Sequence, residues 1–202
     1  MQVGGMATRR ERADADTRTR ILDVAERLVQ SRGFNGFSYA DVAAELKITK
    51  ASLHYHFHKK AALGEALIAR YAARFADALA KIDAKAGDAA VRLGAYAGLY
   101  RSVLDDQRMC LCGMLAAEYE TLPEPMHVSV LRFFDDNEAW LERLLEQGRT
   151  DGSLHLDGSS RETARTIVSA LEGALLVARP YHDADRFQTT ADQLLRSLTR
   201  SA

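Results

Sequence analysis

Histidines at positions 54, 56 and 58, with Tyr55 and Phe57 between them and Lys59 and Lys60 behind, make "ITKASLHYHFHKK" dense in reactive side chains. Three chemistries are open to such a run. In a strand the three imidazoles would share a face, but the apolar spacing on both sides is helical and no turn supplies a partner strand. On a helix, His54 and His58 have the i, i+4 spacing of a metal pair, yet no third ligand is evident nearby and no His-Glu-x-x-His motif occurs. Acid–base catalysis needs a carboxylate to orient the imidazole, and none is adjacent. In a helix that reads DNA, the same run presents Thr49, Lys50, Ser52, His54, Tyr55, His56, Lys59 and Lys60 outward. These hydroxyls, imidazoles and ammoniums can reach phosphates and base edges, while Leu53 and Phe57 anchor the inner face. The reading is therefore of a DNA-binding segment without metal, cofactor or catalytic residues.

A second group lies in "RMCLCGMLAAEYETLP", residues 108–123. Cys110 and Met114 can share a helix face, with Glu118 beside them and Cys112 on another face. Tyr96, Tyr100, Phe133, Phe134 and Trp140 come from neighbouring helices. Sulfur and aromatic groups around an inter-helix cavity suit an apolar or aromatic ligand, and a carboxylate in an apolar helix needs a partner. Glu118 would orient the ligand or pair with Arg92 or Arg179. Core packing is the plain alternative for the cysteines. Thiol-based sensing of an electrophile or oxidant is another, and needs an accessible thiolate. A disulfide between Cys110 and Cys112 within one helix is disfavoured because their side chains diverge.

The elements that would position these groups are all helical. Residues 1–16 are polar and expected to form a flexible basic arm. A helix follows from about Thr17 to Arg32, burying Ile21, Leu22, Ala25, Leu28 and Val29, with Gly33 to stop it. Ser38 with Asp41 is a variant capping box before a short helix to Leu46. Thr49 caps another, from Lys50 to about Phe57, completing a helix-turn-helix pattern. Longer helices carry Leu63, Leu67, Tyr71, Phe75, Leu79 and Ile82, then Val91, Ala95, Leu99 and Val103. Ser159 and Glu162 form a capping box for "TARTIVSALEGALLVAR", which Pro180 ends, and a last helix begins near Asp185. The predicted architecture is all-α with about nine helices. Its divisions are the arm, a helix-turn-helix domain at 17–62, and a helical ligand-binding and dimerisation domain at 63–202.

Charge supports that division. Of 27 Lys and Arg and 28 Asp and Glu, residues 1–60 hold 11 and 7, a net of +4, leaving 16 and 21 for residues 61–202, a net of −5. A basic head suits a polyanion. No apolar run reaches transmembrane length and the first residues lack a signal-peptide core, so a cytoplasmic protein with reduced cysteines is expected.

Residues 17–67, "TRTRILDVAERLVQSRGFNGFSYADVAAELKITKASLHYHFHKKAALGEAL", resemble the TetR-type (AcrR-like) transcriptional regulators. In that family the segment forms three helices and the start of a fourth. The family's "LYxxF" core appears as Leu53, His54, Tyr55, His56 and Phe57, with His54 where a phosphate-contacting tyrosine is usual. Lys47 stands where the turn usually has glycine. The resemblance implies that Ser38 and Tyr39 face the DNA backbone at a helix N-terminus and that Lys60 contacts phosphate. It also implies a homodimer through the last two long helices, two heads that bind a pseudo-palindromic double-stranded operator, and a small-molecule effector in the body. Ala170, Gly173, Ala174 and Ala178 would let a partner helix approach, and Leu171, Leu175, Leu194 and Leu198 would supply apolar area. The expected function is a ligand-responsive repressor, with a thiol-sensing repressor, or a helical enzyme or adaptor, as the alternatives.

Overall fold

The computed structural model describes residues 9–199, with side chains from residue 13 onward. The expected arm therefore lies partly outside the described residues, and the described part of it is helical. Helix α1 (Arg9–Arg32) starts at Arg9 rather than Thr17. Periodicity missed this extension because it buries no apolar stripe. From this extension Asp14 lies 3.8 Å from His56, and just after it Arg18 lies 4.9 Å from the centroid of the Phe57 ring.

Eight further α-helices follow among the described residues: α2 (Tyr39–Leu46), α3 (Lys50–His56), α4 (Lys60–Asp83), α5 (Ala89–Asp105), α6 (Leu111–Ala117), α7 (Glu124–Asp151), α8 (Ser160–Ala178) and α9 (Ala184–Thr199). The capping signals behave as chemistry requires. Asp41 accepts 2.7 Å hydrogen bonds from both the backbone and the hydroxyl of Ser38. The Thr49 hydroxyl accepts from the Ser52 amide at 3.1 Å, and Ser159 accepts from the Glu162 amide at 3.2 Å. Each satisfies a donor that the first helical turn leaves free. Lys47, the residue after α2, adopts φ 55° and ψ 41°, the left-handed conformation that glycine adopts without a side-chain penalty.

The first three helices close on Leu28, Phe34, Phe37, Val42, Leu53 and Phe57, all buried. That core is continuous with the body through Leu63 and Leu67 of α4. In the body, α8 packs between α7 and α9, α5 lies on α9, and α4 crosses α7. α5 is rotated from the expected face. Val91 is exposed, whereas Leu93, Tyr96, Ala97 and Tyr100 are buried; small apolar residues around most of this helix make its periodicity ambiguous. No helix among the described residues is long and apolar enough to cross a membrane.

Candidate nucleic-acid interface and body pocket

α3 sorts the predicted DNA-facing residues into two sets. Thr49, Lys50, His54, Tyr55 and Lys59 are exposed, Tyr55 at 70%. They occupy one surface, with Ser52 half-buried beside them. Ser38 is exposed at the start of α2, but its amide and hydroxyl are engaged by Asp41. The second set faces inward. The Tyr39 hydroxyl donates to the Phe57 carbonyl at 2.8 Å, and burial raises its pKa to about 12. The His56 side chain is only 5% exposed. Lys60 donates to the carbonyls of Phe34 and Phe37, with its ammonium over both rings. Burial pushes the Lys60 pKa down, against the opposing pull of Glu118 and Asp41. Lys60, expected to contact phosphate, is turned inward here, where its ammonium supplies donors to two loop carbonyls that no helix satisfies. Sequence position alone could not distinguish a lysine pointing at DNA from one folded over two phenylalanines. Among the described residues no cluster of three or more His, Cys, Asp or Glu is placed to hold a metal ion.

The ligand residues expected from sequence also divide. Tyr96, Tyr100, Cys110, Phe133 and Trp140 are buried, the four rings packed in an aromatic core. Tyr96 stacks on Trp140 at 5.4 Å, Phe75 meets Phe133 at 5.3 Å, and the Tyr96 and Tyr100 hydroxyls are 3.0 Å apart. The Trp140 indole donates to Asp83 at 2.9 Å. These rings satisfy one another, which aromatic residues of unknown facing do not disclose in a sequence. Met114 and Phe134 do border a cavity. It measures about 350 Å³, opens between α6, α7 and α8, and is also bordered by Met109, Gly113, Glu138, Glu172 and Leu176. A groove of about 1180 Å³ runs along the C-terminal part of α7, but it is open and lined by charged groups including Arg92, Arg143, Glu146 and Arg149. It borders neither α6 nor the head, so the smaller pocket is the better candidate for a ligand site.

Both thiols are buried. Burial first, and the Glu172 carboxylate second, push their pKa values well up, so they rest as thiols rather than thiolates. The Cys110 sulfur takes a hydrogen bond from the Tyr71 hydroxyl at 3.6 Å and from the Gly113 amide at 3.5 Å.

Glu118 turns away from the pocket and towards the head. Its carboxylate accepts from the Phe34 amide at 2.5 Å and the Asn35 amide at 3.3 Å, so neither Arg92 nor Arg179 is its partner. Gly33 makes this possible: it has φ +86°, and a Cβ there would come within 2.6 Å of Glu118 Oε1. Four further bonds tie the end of α1 and the segment just after it to the body. The Met109 amide donates to the Gln30 carbonyl at 3.1 Å, and the Gln30 side chain returns a bond to the Met109 carbonyl at 3.0 Å. Arg179 donates to the Ser31 carbonyl while also touching the Met114 sulfur at 3.5 Å. Asn35 donates to Thr121 at 2.8 Å. Met109 and Met114 therefore border the pocket and also take part in, or touch, the α1 clamp.

Glu172 was not anticipated. It sits in "SALEGALLVA", an apolar stretch read as dimer interface, yet the argument applied to Glu118, that a carboxylate in an apolar helix needs a reason, would have singled it out. Burial raises its pKa to about 7, opposed by a Cys110 hydrogen bond.

The sequence profile described as "Bacterial regulatory proteins, tetR family" matches residues 21–67, and "Tetracyclin repressor-like, C-terminal domain" matches residues 89–194. The HTH-type transcriptional repressor DhaR of Mycobacterium sp. (strain GP1) is 24% identical over 196 residues, covering 94% of this chain and 97% of that one. The HTH-type transcriptional repressor NemR of Escherichia coli (strain K12) is 28% identical over 171 residues, covering 81% and 84%. Among solved structures, a TetR-family transcriptional regulator from Agrobacterium tumefaciens superposes with a TM-score of 0.89 at 31% identity, covering 93% of this chain and all of that one. A TetR transcriptional regulator from Legionella pneumophila gives 0.80 at 30%, covering 96% and 99%. With profiles matched to head and body in turn, and whole-length relatives of the same fold, the chain belongs to the TetR family of bacterial transcriptional regulators.

Proposed function

We propose that this regulator represses transcription in the cytoplasm as a homodimer on a pseudo-palindromic operator, and that a small apolar or aromatic molecule in the α6–α7–α8 pocket releases it. The observation that carries the reading is the shared wall. α6 lines the pocket with Gly113 and Met114, and Glu118 directly after it holds the segment that follows α1. A ligand that displaces α6 must disturb the segment on which α2 and α3 are hung. It acts as an inducer only by binding the DNA-incompetent arrangement more tightly than the competent one. The ligand-gated form is favoured over a thiol-gated one because both sulfurs are buried and protonated.

The test measures inducer-dependent operator release by wild type and Glu118→Gln. The amide keeps one acceptor oxygen but loses the charge-assisted bond to Phe34, weakening the clamp. The reading expects the ligand concentration for half-release to shift severalfold while ligand-free operator affinity changes less. Equal effects on both would make Glu118 purely structural.

A further inference from the structure

Glu172 projects from α8 into the pocket wall. A Cβ on Gly113 would stand 2.2 Å from its Oε2, so this carboxyl lies directly over the α6 glycine. Its Oε1 is buried and accepts no hydrogen bond. An unsatisfied buried acceptor is costly, and the carboxyl that carries it belongs to a residue lining a cavity large enough for a ligand. The other lining side chains include Met109, Met114, Phe134, Ser169, Leu176 and a second carboxylate, Glu138, with no Lys or Arg in the lining; Arg179 stands behind Met114, bonded to the Ser31 carbonyl. Glu138 already has a partner in Arg165, at 3.3 Å. The vacant acceptor is therefore on Glu172, in a wall of thioether, aromatic and aliphatic surface that also favours cations over anions.

We propose that Glu172 is the polar anchor of this pocket and selects an organic cation, an apolar or aromatic body bearing one protonated amine. The proposal rests on the pocket being the effector site. The ammonium pairs with the Glu172 carboxylate and the body lies against Met114 and Phe134. The groups facing Glu172 are Tyr71, Tyr96, Tyr100, Cys110, Cys112 and, across the pocket, Glu138. The tyrosines and cysteines among them have pKa values raised by burial and stay neutral at pH 8, which lies above the value of about 7 for Glu172.

The experiment is calorimetric titration at pH 8 with three probes of one shape: 1-naphthylmethylamine, 1-naphthylmethanol and 1-naphthoate. Wild type is expected to bind the amine at least tenfold more tightly than the alcohol, and the acid weakest. In Glu172→Gln the amine and alcohol should become equal, with the alcohol unweakened. Glu172→Asp, which keeps the charge, should retain part of the preference, and Glu138→Gln should retain nearly all of it. Thermal melts of each variant separate loss of selectivity from loss of fold. An amine no tighter than the alcohol, a preference that survives Glu172→Gln, or no binding of any probe would overturn the proposal. Binding of the alcohol without charge selection, accompanied by operator release, would leave the pocket as the effector site and remove only the role of Glu172.

Discussion

Lys60 and Glu172 show how far residue type falls short of residue role. Both are single charges that sequence could place on a helix but could not orient. Lys60 faces two carbonyls rather than solvent, so Lys60→Ala is expected to destabilise the head, by about 1–3 kcal/mol for carbonyls left without their charged donor. It should leave the salt dependence of DNA binding by folded protein unchanged. Lys59→Ala, on an exposed lysine, should lower that salt slope by about one unit and weaken specific and random DNA alike. Thermal melts and salt titrations of the two variants separate these roles; a slope reduced by Lys60→Ala would contradict the inward placement. Glu172 has a pH signature. Its folded pKa of about 7 lies above the ordinary 4.5, so the folded chain holds the proton more tightly than the unfolded one. Its burial therefore costs little below about pH 4.5, and progressively more as pH rises towards 7, where the cost levels off. The stability of Glu172→Gln relative to wild type should rise by about 2 kcal/mol between pH 5 and pH 8. Denaturant melts across that range check it, and a difference independent of pH would mean that the carboxyl is solvated.

At the scale of elements, the capping residues and the stripes of α1 and α4 were legible because each is a local rule: Ser38 with Asp41, Thr49 with Ser52, and Ser159 with Glu162 lie within one turn of each other. What escaped was contact between distant segments. Nothing near Glu118 in the chain announces Phe34 and Asn35 as its donors, and nothing near Tyr96 says that Trp140 stacks on it. The turn between α2 and α3 carries a mark of its own. Lys47 holds a left-handed conformation that costs a residue with a Cβ about 1 kcal/mol. Lys47→Gly should accordingly raise stability by up to about 1 kcal/mol, less whatever glycine gains in unfolded-chain entropy. Thr49→Ala should lower it by about 1 kcal/mol through loss of the α3 cap. Denaturant midpoints decide both, and a Lys47→Gly variant markedly less stable than wild type would mean that the lysine side chain contributes contacts of its own.

For the whole molecule, the all-α architecture and the division into head and body followed from periodicity and charge, whereas the outward face of α8 did not. Leu171, Leu175 and Ala178, read as interface candidates, are buried within the chain. Gly173 is exposed, with Leu176 at 59% and Val177 at 58%. Period alone could not say which side of an apolar helix meets its own core. The proposed dimer therefore uses this second face, and Val177→Arg should shift sedimentation at micromolar concentration from dimer to monomer and weaken operator binding with it. The proposal as a whole depends on α3 reading DNA through its exposed set. The most direct measurement is a binding titration of the inverted repeat beside the protein's own gene against a scrambled duplex, at several salt concentrations, with wild type and with Lys50→Ala combined with Tyr55→Ala. Wild type should prefer the repeat, with affinity falling steeply as salt rises, and the double variant should lose that preference while remaining folded and dimeric. No preference for the repeat, or a preference untouched by the double variant, would contradict the assignment of α3 as the reading helix.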